Sequence, residues 1–370
     1  MKLRYGIIDE NVLKRSVEDV ILHERQRMSL RAGKEGPHKS RKGCTAEKTP
    51  AGCAGTLAVI RKMNSLAAEQ VRGTVFSPVL FLPPEIEEET LRDLVSQICK
   101  TAFPLGLTIR GVHAEVTDAV TRPIVCGTMS GEGFCRDQIP AERDADREIP
   151  MAGTAGTSGR EIPIIRTPGQ DIMTAGTSDM EILMAGTAGL EGTWILLKEH
   201  ERELRARFPE SFLFRVEKKR EELCVLEAAK TAAAAGVPVM VSPSGGGFFA
   251  GLWDLSKKAG CGLEIDLQAV PILQETIEIT DHFQIHPYRM RSAGCLLMAA
   301  PDAVRIRQIF FDKGIPVTRI GRLLPGKREK ILRNGEEIRY LDRPQADSLD
   351  LFERKIRTAF QNAELLNGSF

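Results

Sequence analysis

The regular alternation of short apolar runs with helical patterns after residue 189 constrains the fold of this chain more than any other feature. The run Val237–Val241, which leads into the glycine-rich stretch at 242–247, is typical of a buried strand. Such alternation predicts an α/β domain in which helices cover a sheet. The predicted helices are at about 190–207, 215–235, 248–259, 274–283 and 301–313, and the strands at 237–241, 262–266, 294–299 and 315–323.

The first part of the chain has a different order of elements. Periodicity predicts helices at about 10–28 and 56–70 and a third that begins near Glu85, with strands at 74–82, 107–112 and 123–128. This order is typical of an α+β layer with helices on one face of a sheet. The predicted fold class for the whole chain is therefore α/β (α+β) with two domains.

Two segments lack the residues needed for a core. Residues 30–55 are rich in Gly, Lys and Ala, which predicts a mobile surface loop. Residues 148–189 repeat an Ala-Gly-Thr motif, which favours a unit duplicated within a linker over a flexible lid or a partner-docking arm. The predicted organisation is an N-terminal domain at 1–140, a repeat linker at 141–188, a C-terminal domain at 189–345 and an amphipathic helix at 346–370.

Charge and composition exclude several classes of function. The chain has 51 Lys and Arg against 50 Asp and Glu, and aromatic residues make up 5%, so neither a basic field nor a stacking surface for nucleic acid is present. No apolar run reaches the roughly 18 to 20 residues that cross a bilayer. The start of the chain lacks the order of a signal peptide, and its cysteines form no Cys-x-x-Cys pair. We therefore expect a cytoplasmic chain with reduced thiols and no membrane partner.

The glycine-rich stretch at 242–247 is a candidate phosphate site. Gly245, Gly246 and Gly247 precede a predicted helix, whose backbone N–H groups at the positive end can bind an anion. Ser242 and Ser244 add hydroxyl donors to the same loop. A tight turn that needs glycine explains the pattern equally well. The stretch lacks the Lys-Ser/Thr ending of a P-loop.

His113 and Glu115 are a candidate catalytic pair. They alternate on one predicted strand and therefore point to the same side. Together they could hold a metal or move a proton. A pair on the surface of a strand end, without a third ligand, is the commoner arrangement.

Motifs in order along the chain resemble those of the aminoimidazole-ribonucleotide (AIR) synthase superfamily, and its hydrogenase-maturation ATPase branch is the most similar. Asn64-Ser65-Leu-Ala-Ala resembles the Asn-Asp-Leu-Ala helix motif, and the segment Gly111-Val-His-Ala-Glu-Val-Thr117 resembles the Gly-Gly-His-Thr-Glu-Val-Thr turn. Gly246-Gly247-Phe-Phe-Ala-Gly-Leu-Trp resembles the glycine-led helix of the family. Further matches lie at 6–15, 168–171, 189–193, 259–266 and 292–294.

The resemblance implies two α/β domains that dimerise through their N-terminal sheets, with ATP in the cleft and Mg²⁺ on acidic residues. In the favoured branch, ATP activates a carboxamide oxygen. Asn64 and Thr117 join the glycine loop as candidates for nucleotide binding. Glu115 is a candidate metal ligand, and acids elsewhere that could have moved into the cleft are Asp118, Glu132 and Asp266.

Most of the acids that the family uses for metal are absent from this sequence. Magnesium is a hard cation that needs several oxygen ligands. The aspartate-rich loop of the family corresponds to residues 31–38 here, which contain no aspartate, and the aspartate of the helix motif is Ser65. The His-Asp-x-Thr-Glu positions correspond to residues 241–245, which read VSPSG. The sequence ends in NGSF rather than in the cysteine that carries the substrate in the hydrogenase-maturation branch.

These losses lead to three hypotheses about function. The first is a dimeric, non-catalytic or weakly nucleotide-binding homologue with a degenerate ATP and magnesium site. The alternative is an active ATP-dependent enzyme of the ligase or dehydratase kind, which activates a carboxamide or a phosphorylated substrate with rebuilt ligands. The third is a protein that binds a phosphorylated small molecule through residues 242–247 without metal.

Overall fold

The computed structural model of the protein describes residues 6–7, 12, 14–27, 41–47, 52–134, 180–243 and 245–367. Within these ranges the chain forms two sheets with helices packed on them, which confirms the predicted two-domain α/β class. Among the helices of these ranges, none combines the length and the apolar character that crossing a bilayer requires.

The first sheet is built around two long strands. Its strands are β1 (Gly6–Ile7), β2 (Arg41–Glu47), β3 (Val71–Leu82), β4 (Thr108–Ile109), β5 (His113–Val116) and β6 (Ile124–Gly133). Their order is β1-β5-β3-β6-β2, and β4 also pairs with β3. The central strand β3 is antiparallel to β6 and parallel to β5.

Helices pack on one face of this sheet. They are α1 (Asp19–Arg27), which follows a π-helical turn at Lys14–Glu18, α2 (Ala54–Ala67) and α3 (Glu88–Ala102). The helical spacing of Leu91, Leu94 and Ile98 buries one side of α3. Gly55 lets α2 approach α3, because a Cβ at that position would lie 2.5 Å from the carbonyl oxygen of Leu94.

The second sheet is longer and has β7 in its interior. Its strands are β7 (Glu181–Gly186), β8 (Val239–Val241), β9 (Gly262–Asp266), β10 (Cys295–Ala300), β11 (Val317–Leu324), β12 (Lys330–Asn334) and β13 (Glu337–Tyr340). Their order is β13-β12-β9-β11-β7-β10-β8. The ladders are antiparallel except for the parallel pair β12 and β9.

The helices of the second domain connect and cover these strands. They are α4 (Leu190–Glu199), α5 (Glu201–Arg207), α6 (Glu210–Lys218), α7 (Leu226–Ala234), α8 (Gly247–Ala259), α9 (Gln274–His282), α10 (Ala303–Asp312) and α11 (Ser348–Asn367). Short 3-10 turns lie at Lys219–Leu223, Leu267–Ala269 and Pro287–Arg289.

The two domains share a hydrophobic core. One cluster joins Phe76 and Leu80 of the first sheet to Met298 of the second. Another cluster fills the other face of the second sheet, around Phe248 and Ile265. Because the first cluster runs from α2 to β10 without a break, the domains are packed against each other as well as being connected by the chain.

Two segments that were predicted to lie outside the core are ordered elements. Residues 41–47, within the predicted loop 30–55, form β2, because backbone hydrogen bonds to β6 are available whatever the side chains. Residues 181–186, within the predicted linker 141–188, form β7, where Ile182 and Leu183 supply apolar bulk beside the Ala-Gly-Thr pattern. The remaining repeats, at 148–179, lie outside the described residues.

The prediction of one helix at 215–235 is wrong. α6 ends at Lys218, a 3-10 turn follows, and α7 begins at Leu226. The predicted helix at 190–207 is divided at His200. The hairpin of β12 and β13 was not predicted, although Asn334-Gly335 is a recognised turn signal.

Candidate functional site

The predicted glycine loop begins where β8 ends and leads directly into α8. Gly246 and Gly247 have φ angles of +78° and +74°, which favour glycine over residues that carry a Cβ. A Cβ on Gly247 would also lie 2.5 Å from the carbonyl oxygen of Met290. The loop is therefore a tight turn that requires glycine, and it presents backbone N–H groups at the positive end of α8.

The anion at this end of α8 comes from the chain itself. The backbone N–H of Gly246 donates a hydrogen bond of 3.2 Å to Oδ2 of Asp347, 101 residues further along the chain. The backbone N–H of Leu349 donates to Oδ1 of Asp347 at 3.0 Å. One buried carboxylate, only 4% exposed, thus caps the starts of α8 and α11. Burial raises the pKa of Asp347 to about 6, although Arg291 acts in the opposite direction.

Two arginines hold the segment 342–350, which we call the C-terminal strap. Nε of Arg291 lies 3.6 Å from Oδ2 of Asp347, and the same guanidinium pairs with Asp350. Arg289 binds the start of the strap, because its Nη2 donates to Asp342 at 2.6 Å. The strap therefore carries three carboxylates beside two arginines.

Further contacts attach the strap to the body of the second domain. Nη1 of Arg289 donates to Oε1 of Gln345 at 2.7 Å, and the indole N–H of Trp253 donates to the carbonyl oxygen of Asp342 at 2.5 Å. Leu349 is fully buried. A small cleft remains at the outer edge of the strap, where Phe249 is among the lining residues.

The other predicted residues of the loop are placed differently. The hydroxyl of Ser242 donates to the carbonyl oxygen of Cys295 at 3.3 Å. Gly245 is exposed, with open space where a Cβ would be. Ser244 lies outside the described residues. The hydroxyl of Ser242 and the N–H of Gly246 are therefore both engaged within the protein.

Asn64, a predicted nucleotide-binding residue, is buried at the junction of the two domains. Its Nδ2 donates to the carbonyl oxygen of Leu223 at 2.8 Å, and its Oδ1 accepts from the backbone N–H of Val225 at 2.9 Å. These bonds take main-chain groups that a continuous helix would use. They give a physical reason why the predicted helix at 215–235 is interrupted.

A buried ion pair close to Asn64 was missed by the sequence analysis. Arg61 of α2 pairs with Glu191 of α4, and their side chains are 7% and 0% exposed. Glu191 also accepts a hydrogen bond of 2.9 Å from the backbone N–H of Ala293. The pair fixes α2 to the second domain. Since 130 residues separate its members, no local pattern could have revealed it.

His113 and Glu115 lie on the same side of β5, as predicted. Nε2 of His113 and Oε2 of Glu115 are 3.6 Å apart, with side chains 49% and 38% exposed. Ala114 and Val116, which alternate with them, point into the core. Within the part of the chain that the structure describes, no group of three His, Cys, Asp or Glu residues could hold a metal ion.

The remaining candidate acids and hydroxyls are near turns and strands rather than in one place. Oγ1 of Thr117 accepts from the backbone N–H of Ala119 at 3.3 Å, and Asp118 is exposed. Oδ1 of Asp266 accepts from the backbone N–H of Gln268 at 3.0 Å. Glu132 pairs in register with Arg72 across β3 and β6.

Two α/β domains with a shared core, and a glycine loop that leads into α8, define a protein of the AIR synthase-like fold class. Residues 177–334 match the family described as AIR synthase related protein, C-terminal domain. This match over most of the second domain confirms the predicted resemblance to the superfamily. No curated protein matches the chain.

Solved structures share the fold of both domains at low sequence identity. E. coli HypE, a hydrogenase maturation protein, has a TM-score of 0.64 at 17% identity over 89% of this chain and 96% of that chain. HypE in complex with ATP has a TM-score of 0.61 at 17% identity, over 92% and 96%. Thiamine-monophosphate kinase from Stenotrophomonas maltophilia K279a has a TM-score of 0.56 at 16% identity, over 91% and 98%.

Proposed function

We propose that this protein is a dimeric, non-catalytic AIR synthase-related homologue whose ATP and magnesium site has degenerated. The observation that carries the proposal is the hydrogen bond from the N–H of Gly246 to Asp347. The backbone group that would meet a phosphate is already bound to a carboxylate of the chain. A triphosphate brought to this place would face that negative charge at close range.

The ion pairs of the three aspartates in the C-terminal strap support the same proposal. Asp342, Asp347 and Asp350 each lie beside Arg289 or Arg291. Acids that are paired in this way do not fit a site for Mg²⁺, which needs several oxygen ligands of its own. The residues present around the glycine loop therefore do not suit the magnesium ion that the family resemblance implies, and we derive no catalytic step through it.

The proposed dimer uses the face of the first sheet opposite to α2 and α3. On β3 and β6, buried and half-buried residues alternate, and the half-buried face includes Val79, Phe81 and Ile124. Within the described ranges, none of these three belongs to a hydrophobic core cluster. Covering these three apolar side chains with a second copy of the chain would stabilise the sheet.

An active ATP-dependent enzyme with rebuilt ligands is the alternative. It is favoured by the fold, since one solved structure with this fold is a hydrogenase maturation protein in complex with ATP. In that case the acids of the strap would have to leave their arginines before they could hold a metal. The alternative therefore requires a rearrangement of residues 342–350.

Calorimetric titration of the full-length protein with ATP, with and without magnesium, separates the two proposals. The non-catalytic homologue predicts no magnesium-dependent binding tighter than about 100 μM. Magnesium-dependent binding tighter than about 100 μM, or roughly 5.5 kcal/mol, would contradict it and favour the enzyme.

The dimer is tested by sedimentation velocity of the wild type and of Val79→Glu. We expect the wild type to sediment as two chains and Val79→Glu as one, because a carboxylate on this half-buried sheet face opposes its burial. Val304→Glu, at a position 79% exposed on α10, is the matched control and should remain dimeric. A monomeric wild type, or a folded Val79→Glu dimer, would contradict the proposed interface.

A further inference from the structure

We propose that the start of α8 is an anion socket that Asp347 of the C-terminal strap occupies, and that a small oxyanion from solution binds there when this carboxylate is removed. We use the term anion socket for the N–H groups of Gly246 and Leu349 together with the guanidinium of Arg291. The inference rests on the proposed function and deepens it, because it names the feature that closes the glycine loop to external oxyanions.

The socket surrounds one carboxylate with donors from three parts of the chain. The two backbone N–H groups bind its two oxygens at 3.2 and 3.0 Å. Arg291, whose side chain is 9% exposed, supplies positive charge 3.6 Å from Oδ2. The helix dipole of α8, a helix of 13 residues, adds partial positive charge on the same side.

The surroundings of Asp347 otherwise oppose a negative charge. The carboxylate is buried, and Asp350 and Glu191 add negative charge nearby, whereas Arg291 and Arg61 are the cations that act on it. A buried carboxylate is stable only when donors replace its lost water. The socket supplies those donors, and an oxyanion from solution could use the same ones.

The strap is attached by contacts that differ in their exposure to solvent. Its first half is bound through partly exposed side chains, with Arg289 at 29% and Asp342 at 65% exposure. Its apolar anchor is Leu349, at the start of α11. Polar contacts of this exposure contribute little to stability and are weakened by salt. Asp347 is the strap residue whose side chain is hydrogen-bonded to the glycine loop.

The test removes the internal carboxylate and offers a replacement from solution. Thermal unfolding of full-length Asp347→Ala is measured with and without about 100 mM sodium formate or inorganic phosphate, concentrations at which weak ligands raise the melting temperature. The control is Asp302→Ala, which removes a cap from α10 that binds the N–H of Arg305. Potassium chloride at matched ionic strength corrects for screening.

We expect Asp347→Ala to melt roughly 5 °C or more below the wild type, since two helix caps are lost. Formate or phosphate should restore at least about half of this difference, and should leave the wild type and Asp302→Ala unchanged relative to chloride. A folded Asp347→Ala protein that formate and phosphate stabilise no more than they stabilise Asp302→Ala would overturn the inference. That result would leave the proposed function standing, because the latter depends on the ATP titration of the wild type.

Discussion

The glycine loop at the start of α8 and the His113–Glu115 pair on β5 differ in where their polar groups find partners. The N–H of Gly246 is bound to a buried carboxylate that lies 101 residues away in the chain. His113 and Glu115 are 3.6 Å apart and exposed to solvent. Residue type and spacing identify polar groups in both regions. Only the tertiary partners decide whether such a group is available to a ligand.

The largest effect is expected where a polar group has a buried partner, as Glu191 has in Arg61. We expect Glu191→Gln to lower the free energy of unfolding by about 3–5 kcal/mol, because it removes the carboxylate that neutralises the buried Arg61. Denaturant unfolding measures the change. Glu201→Gln, which breaks the exposed pair with Arg205, should leave the free energy of unfolding nearly unchanged. Equal losses in the two variants would contradict the account.

Substitution of Gly247 tests how closely the glycine loop packs against the backbone of Met290. We expect Gly247→Val to destabilise the protein by about 3 kcal/mol, since the positive φ and the 2.5 Å approach to the carbonyl of Met290 both oppose a side chain. Gly314→Val shares the positive φ but has open space around it, so it should lose only about 1–2 kcal/mol. Thermal unfolding compares the two, and a smaller loss at Gly247 would rule out the tight packing described for α8.

Substitution of Asn64, the first residue of the Asn64-Ser65-Leu-Ala-Ala motif, tests whether its side chain holds the two domains together. We expect Asn64→Ala to cost about 2 kcal/mol, because the N–H of Val225 and the carbonyl of Leu223 lose their buried partners. Ser65→Ala, at the exposed neighbouring position, should be close to neutral. If Asn64 instead served a ligand alone, the stability of Asn64→Ala would equal that of the wild type.

The pH dependence of stability tests the effect of burial on the carboxyl group of Glu199. Burial, and then the charge of Glu353, raise the pKa of Glu199 from 4.5 to about 7. The folded state therefore favours the neutral carboxyl, and this stabilisation is full below pH 4.5 and is lost as the pH rises through about 7. We expect Glu199→Gln to reduce the fall in the free energy of unfolding across this range. Glu210→Gln, at an exposed position, should retain the wild-type slope, and an unchanged slope in Glu199→Gln would contradict the assignment.

The smallest effects on stability are expected for the exposed pair of His113 and Glu115. His113→Ala and Glu115→Gln should each change the free energy of unfolding by less than about 0.5 kcal/mol, because the pair is exposed to solvent. Differential scanning calorimetry in the presence and absence of zinc or magnesium makes the test. A metal-dependent rise in melting temperature that either substitution abolishes would show that the pair is a metal site after all.

The elements that the sequence predicted well are those with strong local patterns. α3 carries its apolar residues at helical spacing, and α8 begins at the glycines, so both are readable without tertiary information. The strap's contact with the loop and the Arg61–Glu191 pair join residues 101 and 130 positions apart. Nothing in the local sequence specifies which distant carboxylate will meet a given donor. The candidate site was therefore predictable as a turn, but its occupant was not.

Hydrogen–deuterium exchange of the full-length wild type, with and without magnesium and ATP, tests the central claim most directly. If the strap fills the glycine loop, exchange at residues 246–252 and 342–350 is slow in the free protein and does not change when nucleotide is added. Faster exchange in the strap together with new protection of the loop on adding ATP would show that nucleotide displaces Asp347. That result would contradict a degenerate, self-occupied site.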